Sequence, residues 1–138
     1  MEGNEKLPPM AEATVHAGFP SPAQDYMSGG IDLNKELVRH PDATFYVRVS
    51  GDSMLQAGIS DGDVLVVDRS LEPRDGAIAI CFLEGEFLVR RLVTTSSSGE
   101  GKTVVLEPAN PAYKPIKITP GTDFSVWGIV TYIIKSVG

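Results

Sequence analysis

Ser53 is the side chain of this 138-residue chain best placed by its neighbours to do chemistry. It stands in Gly51-Asp52-Ser53-Met54, directly after Phe45-Tyr46-Val47-Arg48-Val49-Ser50, which alternates with the two-residue period of a β-strand. A glycine free to take positive φ and an aspartate that bonds nearby amides make a tight turn. The hydroxyl is therefore expected to project from the end of a rigid element, where a nucleophile would be held. The ordinary alternative is a plain turn with no chemical role. A serine hydroxyl also needs a base to take its proton, and few are on offer. His16 and His40 are single unsupported rings that read as surface or interface histidines, so a Ser/His/Asp triad is disfavoured. Two histidines and one cysteine lack zinc-ligand spacing, and no metal or other cofactor is expected. What remains is a Ser/Lys arrangement, in which a lysine desolvated among apolar side chains loses its proton near neutral pH.

The elements that would position Ser53 are mostly strands. After the serine turn, Gly58-Ile59-Ser60-Asp61-Gly62-Asp63 makes a second turn and Val64-Leu65-Val66-Val67-Asp68 reads as a buried strand. Residues 77–83 and 86–93 form two strands joined by a tight Glu84-Gly85 hairpin, with a flexible Ser/Gly tip over 96–101. Thr103 to Glu107 and Ile116 to Ile118 are further short strands, separated by a Pro108-Ala109-Asn110-Pro111 turn. Phe124 to Ile134, containing Trp127, is expected to be a central core strand. Leu33, Leu37 and Val38 fall at helical spacing behind an Asp32 N-cap, giving one short helix that His40-Pro41 ends. The fold class expected is mostly β, a folded-over sheet or open barrel over 25–138. Ahead of it, residues 1–24 carry Pro8, Pro9, Pro20 and Pro22 without a sustained apolar period, and read as a flexible N-terminal arm. Within that arm, small Ala17 and Gly18 make an easily approached peptide bond.

Composition narrows the partners. With 42% hydrophobic residues the chain suits one compact domain and is short for two. A net charge of −6 argues against a broad basic surface, so tight direct grip on nucleic acid is not expected. Cys81, the single cysteine, lies in an apolar run and reads as a small buried hydrophobe. No run approaches the ~18 apolar residues of a membrane helix and no leader pattern opens the chain, so a membrane role is not expected and a reducing cytoplasm is the default compartment.

Several stretches carry a resemblance: residues 17–26 (Ala17-Gly18-Phe19-Pro20 through Tyr26), Ile31-Asp32-Leu33-Asn34, His40-Pro41, Gly51-Asp52-Ser53-Met54, residues 58–63 and Val67-Asp68. From Gly18 to about Val137 the chain resembles the LexA/UmuD (S24) family of self-cleaving serine peptidases, and within it the UmuD type. The arm ahead of Gly18 reads as too short for the helix-turn-helix domain of LexA-type repressors, so none is expected. The resemblance implies a homodimer of mostly β peptidase fold. Such a protein cuts its own arm when stimulated by a RecA–single-stranded DNA filament in the SOS response to DNA damage. The shortened form then joins a UmuC-like Y-family polymerase in error-prone translesion synthesis. By the same resemblance Ala17–Gly18 is the scissile bond, Ser53 the nucleophile, and the backbone amides of Ser53 and Met54 the oxyanion donors.

The family's lysine sits in a pattern like Glu-Phe-x-Val-Lys-x-Leu, whereas this chain reads Glu86-Phe87-Leu88-Val89-Arg90-Arg91-Leu92. Arg90 thus occupies the position of the base. A guanidinium stays protonated and has no lone pair to offer, so self-cleavage is expected to be impaired. Arg90 is expected to reach solvent or to find an acidic or carbonyl partner. The replacement is either native to the chain or introduced to trap the uncleaved form. Two other readings stand beside the impaired autoprotease. One is a non-enzymatic dimeric regulatory or interaction module of a polymerase. The other, a relative of membrane signal peptidases, shares the Ser/Lys logic and lacks support from any anchoring segment.

Overall fold

The computed structural model describes residues 9–11, 27–30, 32–97, 99 and 101–138. Residues 1–39 and 40–138 form two separate units. In the first, strand β1 (Pro9–Ala11) pairs antiparallel with β2 (Met27–Gly30), with an irregular register. Helix α1 (Leu33–Leu37) follows, and its Asp32 cap accepts from the Asn34 amide at 3.1 Å. The helix is shorter than its apolar spacing suggests, because Val38 turns to extended backbone two residues before His40. The arm expected over 1–24 falls mostly outside the described residues.

The second unit is built on a seven-stranded sheet with only short 3-10 turns beside it, in keeping with the mostly β expectation. Its strands are β3 (Thr44–Arg48), β4 (Val64–Asp68), β5 (Ile78–Leu83), β6 (Glu86–Ser97), β7 (Gly101–Glu107), β8 (Ile116–Ile118) and β9 (Phe124–Ile134). They lie in the order β3-β4-β9-β5-β6-β7-β8, all neighbours antiparallel. The long β-branched run of β9 lies inside the sheet, third of the seven between β4 and β5, and is a core strand only in part, with Gly128 and Ile129 buried and 131–134 exposed.

Two apolar clusters hold the sheet. Val49, Met54, Ile59, Leu65, Val67 and Ile80 make one, and Ala77, Ala79, Cys81, Leu92, Leu106 and Ile129 the other. Strand β5 contributes to both, Ile80 to the first and Ala79 and Cys81 to the second. That two-sided burial is why it reads as an unbroken apolar run rather than an alternating one. Strand β3 stands at the sheet's edge, and there its expected buried face is only partly realised. Phe45 is 44% exposed, with one side of its ring 5.3 Å from Trp127, while Val49 is buried. Among the described residues no helix is long and apolar enough to cross a membrane.

Candidate active site

The sheet ends β3 where the first apolar cluster needs an anchor. Val49 continues the pairing by donating its amide to the Asp63 carbonyl at 2.8 Å, and Gly51 then turns the chain at φ 100°. The Gly51 amide donates to Asp61 Oδ1 at 2.7 Å, which ties the two Asp/Gly turns together. Met54, 1% exposed, plugs the loop into the core, and its carbonyl accepts from Ala57 and Ile59. Ser53 lies between these anchors and is half-buried.

A second loop braces the serine from the other side. The Ala109 amide donates to the Ser53 carbonyl at 2.8 Å, and Gln56 donates to the Ala109 carbonyl at 2.7 Å. Asn110 Nδ2 donates to the Asp52 carbonyl at 2.8 Å, and the Tyr113 hydroxyl donates to Asp52 Oδ1 at 2.7 Å. That last bond, with the Asp52 charge behind it, raises the phenol pKa of Tyr113. In the sequence 108–111 reads as a plain turn, and nothing in its spacing marks a part in the site. The available signal was an asparagine between prolines, a residue type that bonds backbone nearby, with a tyrosine three residues on.

Strand β6 supplies Arg90, brought across from the serine by the Glu84-Gly85 turn, whose two residues both have positive φ. Arg90 pairs with Ala79 on β5 and is 7% exposed. Its Nη1 donates to Ser53 Oγ and to the Val89 carbonyl, both at 2.8 Å. Nε is buried without an acceptor, and the Tyr113 ring centre lies 5.8 Å from Cζ. Of the two outcomes expected for Arg90 it takes the carbonyl, and among the described residues no carboxylate forms an ion pair with it. Burial, which penalises the charge, pulls its pKa below the ordinary value, with partial compensation from Tyr113 and Cys81. It remains a cation.

Ser53 and Arg90 face one cleft of ≈ 360 Å³, walled by residues 47–52 on one side and 87–89 on the other. Leu65, Ile80 and Tyr113 line it as well. The expected oxyanion residue Met54 is beside Ser53 in the same turn. Ala17, Gly18 and His16 lie outside the described residues. His40 is not part of the cleft. It bonds Asp68 at 2.6 Å, and Asp68 also accepts from the amide and hydroxyl of Ser70. Lys102 is exposed on β7, and among the described residues no cluster of metal-ligating side chains occurs.

Chemically this arrangement sets the serine hydroxyl against a guanidinium. Ser53 Oγ accepts a hydrogen bond from a permanent cation and keeps its own proton, since Arg90 offers no lone pair.

A model of the Peptidase S24-like family matches residues 9–131. Protein ImpA of Salmonella typhimurium is 39% identical over 132 residues, spanning 91% of this chain and 82% of its own. Protein MucA of Escherichia coli is 42% identical over 119 residues, 86% of this chain and 77% of its own. Protein SamA of Salmonella typhimurium is 40% identical over 126 residues, 91% of this chain and 84% of its own.

Proposed function

Since this chain belongs to the Peptidase S24-like family, with UmuD-type relatives along most of its length, we propose that it is a UmuD-like accessory subunit of SOS mutagenesis with impaired self-processing. The observation that carries the second half is the 2.8 Å bond from Arg90 Nη1 to Ser53 Oγ. In a Ser/Lys dyad a neutral amine there would take the serine proton as Oγ attacked the Ala17 carbonyl. The tetrahedral oxyanion would rest on the amides of Ser53 and Met54, and the Gly18 amine would leave with the proton. A guanidinium in that place positions the hydroxyl and leaves the first proton transfer undone.

The remaining parts of the proposal are its partners and compartment. A homodimer is supported by the far end of β9. That strand pairs with β5 only as far as Ile129, so over 130–134 it pairs with β4 alone among the described residues. Tyr132, Ile133 and Ile134 are exposed there, an edge and an apolar face suited to a second copy. A Y-family polymerase of the UmuC type is the proposed working partner, and a RecA–single-stranded DNA filament the proposed stimulus. A net charge of −6 suits a cytoplasmic subunit that leaves DNA binding to those partners.

Intact-mass analysis before and after incubation with activated RecA filament tests this reading. The unaltered chain is expected to keep its full mass, and Arg90→Lys to lose Met1–Ala17 in a filament-dependent way. Brisk cleavage of the unaltered chain would refute the role given to Arg90, and a filament without effect on Arg90→Lys would refute the assignment to SOS processing.

A further inference from the structure

Arg90 presents a problem that self-processing does not solve. It is a cation 7% exposed, its Nη1 is taken by Ser53 Oγ and the Val89 carbonyl, and among the described residues no carboxylate pairs with it. A buried charge left so is costly unless something of opposite sign comes to it. The guanidinium lies at the wall of a cleft of ≈ 360 Å³, at the small end of the range for ligand sites. Beside it Ser53 Oγ already accepts from Nη1, so its own O–H is left to donate. We infer that this cleft is a binding site for the terminal carboxylate of an extended peptide, held by the Arg90 guanidinium and the Ser53 hydroxyl.

Three features favour a peptide carboxylate over other anions. The cleft is lined by the end of one strand, Val47 and Arg48 of β3, and by 87–89 of another, β6, so an extended peptide lying in it would meet strand backbone from both. Part of its lining is apolar, with Val47, Val49, Leu65 and Ile80 among the residues that face it. The charges at hand match one negative charge rather than two. Arg48, the other cation lining the cleft, already donates to the Gly62 carbonyl, which leaves Arg90 as the one cation there to meet an anion. A phosphodiester chain would call for a row of cations that the cleft does not have. Burial also presses on the Arg90 charge from the protein side, which a bound anion would relieve.

This inference needs only the Ser53–Arg90 geometry and does not depend on self-cleavage. It turns a muted peptidase centre into a reader of chain ends. Two sources carry the same chemistry, a cut arm of the Thr14–Ala17 kind supplied by a cleavage-competent relative and the intact C-terminus of a chain such as this one.

The test is calorimetric titration of the full chain with acetylated Thr14–Ala17 peptide bearing a free carboxylate, and with its carboxamide. A Lys135–Gly138 acid peptide and a short single-stranded oligonucleotide are titrated beside them. The acid is expected to bind at least about tenfold more tightly than the amide, and Arg90→Gln to abolish that preference. A preference for the Thr14–Ala17 acid over the Lys135–Gly138 acid assigns the cleaved arm as ligand, and equal binding assigns the carboxylate alone. Equal affinity for acid and amide, no binding of either acid, or displacement of the peptide by the oligonucleotide would overturn the inference. The acid–amide comparison uses the unaltered chain, so it stands even if Arg90→Gln fails to fold.

Discussion

Replacing Arg90 by methionine should leave the fold as stable as before or make it more so. The side chain is 7% exposed, and its Nη1 makes two charge-assisted hydrogen bonds, to Ser53 Oγ and the Val89 carbonyl. Such bonds contribute about 1.5–3 kcal/mol each. Against them stands an Nε buried without an acceptor, worth about 1–3 kcal/mol, and the desolvation of an unpaired cation, a penalty of several kcal/mol. The opposing sums are of equal size. Methionine fills a similar volume with no polar atom to satisfy, so the expected change lies between zero and a gain of about 2 kcal/mol. Urea unfolding followed by Trp127 fluorescence reads this as an unchanged or raised midpoint at constant slope. A loss of more than about 2 kcal/mol would show that the guanidinium is compensated in the native state, and the case for an anion-hungry cleft would fall with it.

Other consequences are as direct. A Cβ at Gly128 would lie 2.6 Å from Val67 Cγ1, and Val67 is fully buried at the irregular β4–β9 register, so Gly128→Ala should destabilise by about 1–3 kcal/mol in the same unfolding assay. Burial pushes the Cys81 thiol to about 11, so a thiol reagent at pH 8 should label the chain in urea and leave the native protein unreacted. Burial alone would raise the Asp68 pKa, yet the hydrogen bonds from His40 and Ser70 prevail and lower it below its ordinary 3.8. A carboxylate held down in the folded state stabilises above its unfolded pKa and stops doing so as pH falls through the folded one. The unfolding midpoint should therefore drop below about pH 4, and His40→Ala should flatten that drop; an unaltered acid limb in His40→Ala would show that the pair does not contribute.

Much of this fold can be read in the chain because strand period and turn chemistry agree. Strand β9 occupies the residues its β-branched run marks out, and β4 the run ending at Asp68. Phe45 departs from its pattern for a tertiary reason, since an edge strand has no neighbour to cover its outer residues. The pairing of Ser53 with Arg90 is a long-range contact across the sheet, and no periodicity encodes it. It was legible only through the resemblance that aligned Arg90 with a lysine. Asn110 and Tyr113 escaped because their loop has no period, and their hydrogen bonds to Asp52 depend on two turns meeting in space. For Arg90 the sequence leaves solvent, acid and carbonyl open as partners, and burial of the side chain removes the first.

The most direct test of a serine muted by its neighbour is a mass-spectrometric time course of the unaltered chain, Arg90→Lys, and Arg90→Lys with Ser53→Ala, each incubated with filament. The expected result is loss of Met1–Ala17 from Arg90→Lys alone. Equal loss from the unaltered chain, or continued loss once Ser53 is alanine, would contradict it.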